Sequence, residues 1–213
     1  LGDVYKRQDF YRNNRFENAE KKVYSLIDYN IADAVVIFSE AFRDTSIVDE
    51  LRMGAEAHNV PVFILGNRSE KCTSFIFDYE AGFEQAVRHI IEYHGITDTA
   101  MIAGLKGEEH SEQRIAVYKK VLAENGLPFN DNMLSYGDYW SGPAQKAVED
   151  MVAENRVPKA IICANDMMAI TACAVLNRHG YKVPDDVAVV GFDGTEDAKQ
   201  CTPPITTCRC SYS

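Results

Sequence analysis

Short apolar runs rich in β-branched residues alternate with longer stretches of helical period along most of the chain. This alternation is typical of a parallel β-sheet whose strands are joined by crossover helices. The predicted strands are 34–38, 60–65, 74–77, 99–103, 160–163 and 187–190, and the predicted helices are 17–30, 47–58, 80–94, 111–125, 144–154 and 166–179. We therefore expect an α/β fold.

The alternating pattern restarts after the third predicted strand, which predicts two doubly wound parallel-sheet lobes. We expect residues 9–77 to form the first lobe and residues 78–203 the second, with residues 204–213 returning to the first lobe as a strand. Residues 1–8 match no element and are interpreted as an extraneous leader. Since only three strands are visible in the first lobe, we expect its sheet to be incomplete.

The 213-residue chain is acidic, with 22 Lys and Arg against 32 Asp and Glu and a formal net charge of -10. Such a surface repels phosphate backbones, so we expect no nucleic-acid contact from these residues themselves. No run of about 18 apolar residues occurs, which predicts that the chain does not span a membrane. The six cysteines form no Cys-x-x-Cys pair, so we expect buried thiols of a cytoplasmic protein, with neither metal nor cofactor.

Sequence motifs of common catalytic sites are absent. The chain contains no Gly-x-Ser-x-Gly, His-Glu-x-x-His, Gly-x-Gly-x-x-Gly or P-loop motif. Its five histidines are scattered. His89 and His94 share a predicted helix, but a separation of five residues places them on different faces of an α-helix. We therefore expect that the protein is not an enzyme.

Three short motifs lie near the end of the chain. They are Ala164-Asn165-Asp166, Gly191-Phe192-Asp193 and Pro203-Pro204-x-Thr206-Thr207. In this order they resemble the LacI/GalR family of transcriptional regulators. The resemblance implies a periplasmic-binding-protein-like type I fold, in which two lobes enclose a ligand cleft at the carboxyl ends of the strands. It also implies a sugar or related polyol as effector, a homodimer, and a DNA-binding helix-turn-helix segment outside these residues.

The resemblance and the side-chain chemistry together point to candidate ligand-binding residues. Arg114 lies where the family holds a pair of ligand hydroxyls, and its planar fork suits such a pair; a surface arginine is the alternative. Asn165 can donate to and accept from sugar hydroxyls, or it can cap the following helix. Asp193 can accept from hydroxyl groups, or it can form a turn with Gly194.

Aromatic residues near the same strand ends are expected to stack on the apolar face of a sugar ring. The candidates are Phe192, Tyr139 and Trp140, and Tyr139 is favoured over its neighbour as the inward-facing residue. Asn67 stands where many sugar-responsive members end a strand with Asp, and it could replace that residue as a hydroxyl partner. The missing carboxylate argues against a simple hexose as the effector.

Two alternatives share the same fold. Residues 19–29 and 92–95 are similar to LacI-type sensor regions joined to diguanylate cyclase domains, which would change the output and leave the ligand cleft unchanged. An extracellular solute-binding protein would also have this architecture. It would need a signal peptide, and residues 1–8 lack the apolar core of one.

Overall fold

The computed structural model describes residues 23–39, 45–66 and 68–209. The chain divides into two compact units, residues 1–77 and residues 78–213. Both contain parallel strands joined by helices, so the predicted α/β fold is confirmed. Within the described ranges, no helix is long and apolar enough to cross a membrane.

The first unit contains a small parallel sheet. Its elements are β1 (Val35–Phe38), α1 (Thr45–Ala57), β2 (Val62–Leu65) and β3 (Thr73–Phe75). The strand order is β1-β2-β3. In β1 only Ile37 is buried between more exposed neighbours. Because successive side chains point to opposite faces of a sheet, the described residues bury one face of this strand and leave the other face exposed.

The helix predicted over residues 17–30 is wrong at its C-terminal end. Residues 17–22 lie outside the described part of the chain, and residues 25–30 form turns and irregular backbone. The backbone N–H of Asn30 donates to the Asp28 carboxylate at 3.0 Å. Short side chains of this type compete with a helix for backbone hydrogen bonds, so local turn chemistry overrides the helical period.

The second unit holds the larger sheet. Its strands are β4 (Thr99–Ala103), β5 (Leu134–Tyr136), β6 (Ala160–Cys163), β7 (Ala188–Asp193) and β8 (Thr206–Arg209). Its α-helices are α2 (Tyr79–Arg88), α3 (Glu109–Glu124), α4 (Ser141–Ala153), α5 (Asp166–Arg178) and α6 (Glu196–Gln200). A π-helical turn, His89–Tyr93, continues α2, and a short 3-10 helix, Asp131–Met133, precedes β5.

The strand order of this sheet, β5-β4-β6-β7-β8, reverses between β4 and β6. The chain runs from β4 outward to β5 and then crosses back to β6 on the other side of β4. Since crossover connections are right-handed, α3 lies on one face of the sheet and α4 and α5 lie on the other. The packing agrees, because α2 contacts α3 and α4 contacts α5. Open α/β sheets bind ligands at the carboxyl ends of strands beside such a reversal.

Strand β5 is absent from the sequence prediction. It has three residues, all half-buried, and it lies at the edge of the sheet. In contrast, β4 and β6 are buried along their whole length. A short edge strand lacks the continuous apolar run by which central parallel strands are recognised.

The expected return of residues 204–213 to the first lobe is wrong for residues 206–209. These residues form β8 beside β7 in the second sheet, with Thr206 opposite Val190. Ile205 immediately before β8 is buried in the core of the second unit. The parallel ladder and this apolar anchor therefore hold the segment in the second sheet. The last four residues lie outside the described part of the chain.

Candidate functional site

The carboxyl ends of β4, β6 and β7 meet at one edge of the second sheet, because the three strands are parallel neighbours. Gly104 follows β4, Asn165 follows β6, and Asp193 ends β7. Arg114, on the helix after β4, contacts residues of the same edge. The structure thus brings together three of the predicted ligand-binding residues.

Arg114 lies in a cage of aromatic rings. Only 7% of the Arg114 surface is exposed to solvent, which excludes the alternative of a surface arginine. The guanidinium carbon lies 4.8 Å from the ring centroid of Phe192, 5.6 Å from that of Tyr139 and 5.8 Å from that of Tyr79. Such cation–π contacts hold a guanidinium without neutralising its charge. Nε is buried and makes no hydrogen bond to a described residue.

Tyr139 links the arginine to an acidic residue. Its hydroxyl accepts a hydrogen bond from Arg114 Nη1 at 3.2 Å and donates one to Glu108 Oε2 at 2.9 Å. Its ring lies where a side chain on Gly104 would stand, since a Cβ there would be 2.0 Å from Tyr139 Cζ. Burial raises the pKa of the tyrosine well above its usual range, so the phenol stays protonated and donates. The predicted inward orientation of Tyr139 agrees with these contacts.

Glu108 also caps helix α3, a role that was not predicted from the sequence. It is the N-cap of α3, and its carboxylate accepts from the backbone N–H groups of His110 and Ser111 at 3.0 and 2.8 Å. The same carboxylate accepts from Tyr139. One acidic residue therefore stabilises the start of the helix that carries Arg114 and fixes the tyrosine beside it.

Asn165 caps α5 and also supports the Tyr139 loop. Its Oδ1 accepts from the Met168 backbone N–H at 3.0 Å, and its Nδ2 donates to the Tyr139 carbonyl at 3.2 Å. The helix-capping alternative is therefore correct. The second amide hydrogen and a second lone pair on Oδ1 remain for a ligand, so the hydroxyl-binding role stays a prediction.

Asp166 is a buried acid that sequence reasoning named only as part of a motif. It is 0% exposed, and its Oδ2 accepts from the Thr195 backbone N–H at 2.7 Å. Its Oδ1 is buried and makes no hydrogen bond to a described residue. The carboxylate thus ties the start of α5 to the loop after β7, and it places a negative charge beneath the site.

Phe192 does not present a ring face at this edge. It is 0% exposed, and its ring packs edge-to-face on Phe83 with centroids 5.8 Å apart. Its closest cationic neighbour is the Arg114 guanidinium. In this structure Phe192 supports the arginine from the core, so the expected stacking of this ring on a ligand has no accessible surface to use.

Asp193 has a strained backbone conformation and a side-chain carboxyl group with a raised pKa. Its φ is 115°, a region that residues other than glycine rarely adopt and that occurs often at functional sites. The side chain reaches solvent, but surrounding protein removes water from the carboxylate and raises its pKa to about 7. The positive charge of Arg114 lowers this pKa, and the negative charge of Asp166 raises it. The three charges therefore act on one another.

The raised pKa of Asp193 predicts a pH-dependent stability. An unfolded Asp titrates near pH 3.9, and the folded state holds the proton up to about pH 7. The folded state therefore loses relative stability as the pH rises between these values. Relative to Asp193→Asn, the parent chain should therefore have a higher free energy of unfolding at about pH 5 than at about pH 8. Urea unfolding of both proteins at the two pH values measures this difference.

The matched control for this prediction is Asp185→Asn, at an exposed position before β7. Its free energy of unfolding should follow that of the parent chain at both pH values. A constant difference between the parent chain and Asp193→Asn would show that the carboxylate titrates at its ordinary pKa.

The remaining candidates lie at the margin of this arrangement or outside the described residues. Trp140 is half-buried and is the N-cap residue of α4. Asn67 lies outside the described part of the chain. Tyr79, which contacts both Arg114 and Phe192, was missed from the sequence. It stands at the start of α2, far from the recognised motifs, so no local signal marks it.

Comparison with known proteins identifies the fold family. A family model described as "Periplasmic binding protein-like domain" matches residues 87–212, more than half of the chain. The HTH-type transcriptional repressor PurR of Vibrio campbellii is 31% identical over 166 residues, which cover 76% of this chain and 49% of the relative. The chain thus spans about half the length of the curated relatives that it matches.

Two solved structures share the architecture. The transcriptional regulator CelR in complex with cellobiose has a TM-score of 0.68 at 29% identity, covering 82% of this chain and 53% of that protein. A sugar-binding LacI-family regulator from Escherichia coli, solved with phosphate, has a TM-score of 0.70 at 29% identity, covering 82% and 62%. These relatives carry the names of regulators, which gives no support to the cyclase-linked alternative. The chain belongs to the periplasmic binding protein-like domain family and is a sensor domain of the LacI type.

Proposed function

We propose that this chain is the effector-binding part of a cytoplasmic transcriptional regulator, and that it binds a neutral polyhydroxylated molecule at the carboxyl edge of the second sheet. The observation that carries the proposal is the caged, charged Arg114 beside the strained Asp193. A guanidinium fork donates to two adjacent oxygens, and a carboxylate accepts from hydroxyl groups. Two neighbouring hydroxyl groups of a ligand can accept from Arg114 and donate to Asp193 at the same time.

The charges favour a neutral ligand over an anionic one. The pKa of Asp193 is lowered by the positive charge of Arg114 and raised by the negative charge of Asp166, so a buried cation and a buried anion both lie near its carboxyl group. An anionic effector would be attracted by Arg114 and repelled at short range by Asp166 and, above about pH 7, by the ionised Asp193 as well. A sugar or polyol avoids this repulsion and still fills the hydrogen-bonding positions. The cellobiose named in the CelR complex is a molecule of this class.

The output of the proposed regulator lies outside these residues. The chain has a net charge of -10, which opposes direct binding to a phosphate backbone. The curated relatives are helix-turn-helix repressors about twice as long as the region matched here. We therefore assign DNA binding to a separate segment of the parent protein, and we expect a homodimer in which effector binding changes the spacing of two such segments. The proposed role is binding, without catalysis.

A ligand panel tests this proposal. We expect a neutral disaccharide or polyol to raise the melting temperature of the chain more than a simple hexose does, since a ligand that binds only the folded state stabilises it. The panel includes nucleosides, purines and uronic acids as competing classes. Isothermal titration at about pH 8, where Asp193 is ionised, then gives Kd for the parent chain and for Asp193→Asn, which should bind about tenfold more weakly through the loss of a charge-assisted hydrogen bond.

Asp185→Asn serves as the matched control, because this exposed carboxylate lies before β7 and away from its carboxyl end. It should leave Kd unchanged. Preferential binding of a purine or a uronic acid would contradict the neutral-polyol assignment. Equal affinities for the parent chain and Asp193→Asn would contradict the proposed site.

A further inference from the structure

His89 and His94 lie side by side at the end of α2, contrary to the expectation from their spacing. Their Nε2 atoms are 3.1 Å apart. In an α-helix five residues overshoot one full turn by about 140°, which separates the side chains. Here the His94 backbone N–H donates to the His89 carbonyl at 3.1 Å, which closes a π-helical turn over five residues. The π-helical turn therefore returns the second imidazole to the face of the first.

We propose that the His89–His94 pair is a binding site for one divalent copper ion. Imidazole nitrogens bind divalent metals of this kind at about 2.0–2.1 Å, and a separation of 3.1 Å between two such nitrogens then corresponds to an N–metal–N angle of about 95–102°. This angle lies between the roughly 90° of the tetragonal geometry that Cu²⁺ prefers and the tetrahedral angle typical of structural zinc sites. We assign Cu²⁺ because a given nitrogen site binds it most tightly among the divalent first-row metals.

The ring positions give a second, independent measure of the geometry. If both nitrogen axes met at one ion, the ring centroids would be about 4.8 Å apart. A head-on N–H···N hydrogen bond of the same length would hold them about 5.4 Å apart. The observed separation of the centroids is 4.6 Å, with the ring planes at 84°. The observed separation is shorter than that of a head-on hydrogen bond, so the rings meet edge-to-face with both Nε2 atoms within reach of one ion.

The surroundings restrain the first ring and leave room for further ligands. Tyr93 stacks on His89 with centroids 5.1 Å apart and planes at 13°, which limits rotation of that imidazole. Both histidines line a cavity of about 340 Å³ that also includes Thr206. The described residues contain no group of three or more His, Cys, Asp or Glu side chains that could hold a metal. Two imidazoles would therefore bind the ion from the protein side, with water in the remaining positions.

Titration of the full chain with Cu²⁺ alone tests the site. We expect one ion per chain at micromolar affinity and an electron paramagnetic resonance spectrum with hyperfine splitting from two imidazole nitrogens. His94→Asn and His89→Ala should each weaken binding by at least about tenfold and reduce the splitting to one nitrogen. His94 is exposed, so its replacement leaves the core intact and keeps the test informative if His89→Ala does not fold.

His179→Ala is the matched control, because this histidine is an exposed single imidazole at the end of α5. It should leave both the affinity and the spectrum unchanged. Unaltered binding in His94→Asn, or a parent spectrum with a single coordinated nitrogen, would overturn the assignment. The outcome is independent of effector binding, since no residue of the His89–His94 pair belongs to the strand-end site.

Discussion

Replacing Arg114 with alanine is expected to weaken effector binding by about 10- to 100-fold, because a hydrogen bond to a charged group contributes about 1.5–3 kcal/mol. The loss should be large because the aromatic cage positions the guanidinium before the ligand arrives. A preorganised donor costs little entropy on binding. Isothermal titration with the best ligand of the panel measures the change, and circular dichroism confirms that the variant folds.

Two further variants make the Arg114 experiment specific. Arg114→Lys keeps the charge and removes the planar fork, so it should recover only part of the affinity if two ligand oxygens are held together. Arg178→Ala removes an exposed arginine that pairs with Glu149 at 3.7 Å, and it should leave Kd unchanged. Full affinity in Arg114→Ala would show that the effector binds elsewhere.

Replacing Gly191 with alanine is expected to lower the free energy of unfolding of the second unit by about 2–3 kcal/mol, since overpacking of a core forces backbone shifts. A Cβ at this position of β7 would lie 2.4 Å from Asp166 Oδ1 and 3.2 Å from the Asp166 Cα. The 2.4 Å contact is with a buried carboxylate whose Oδ2 accepts from the Thr195 backbone N–H, and the 3.2 Å contact is with backbone in the first turn of α5, so relief would break this hydrogen bond or shift the helix. A decrease in melting temperature of about 5–10 °C should follow.

Gly142→Ala is the matched control for Gly191→Ala. Gly142 lies in the first turn of α4, and a Cβ there would meet no atom within 4 Å. Alanine favours a helix over glycine by up to about 1 kcal/mol, so this variant should be neutral or more stable. Equal melting temperatures for both variants would show that α5 does not pack on β7 as closely as the structure indicates.

The parallel sheets and the strand-end positions of Asn165 and Asp193 could be predicted from the sequence. Buried parallel strands are continuous apolar runs, and the residues that follow them lie at one edge of a sheet by geometry alone. The three short motifs near the end of the chain also indicated the family to which it belongs. Strand β5 could not be predicted, because its three half-buried residues carry no periodic signal.

Contacts between distant segments limited the prediction of the site. Tyr79 belongs to the Arg114 cage, and Glu108 holds the Tyr139 hydroxyl beside it; the two residues lie at the starts of different helices, and the packing of α2 against α3 brings these helices together. The spacing of His89 and His94 was misleading for a related reason. Sequence periodicity assumes an α-helix, and a single π-helical turn changes which residues share a face.

The hydrogen bond between Asp166 and the Thr195 backbone has a consequence for signal transmission. Thr195 caps α6 by accepting from the Ala198 backbone N–H at 3.3 Å, and the Ala198 carbonyl accepts from the Ile205 backbone N–H at 2.9 Å. Helix α5, the short α6 and the start of β8 are thereby joined through consecutive hydrogen bonds. If an effector binds at Asp193 as proposed, a displacement there reaches Thr195 two residues along the chain, and these hydrogen bonds link Thr195 to the segment that enters the outermost strand.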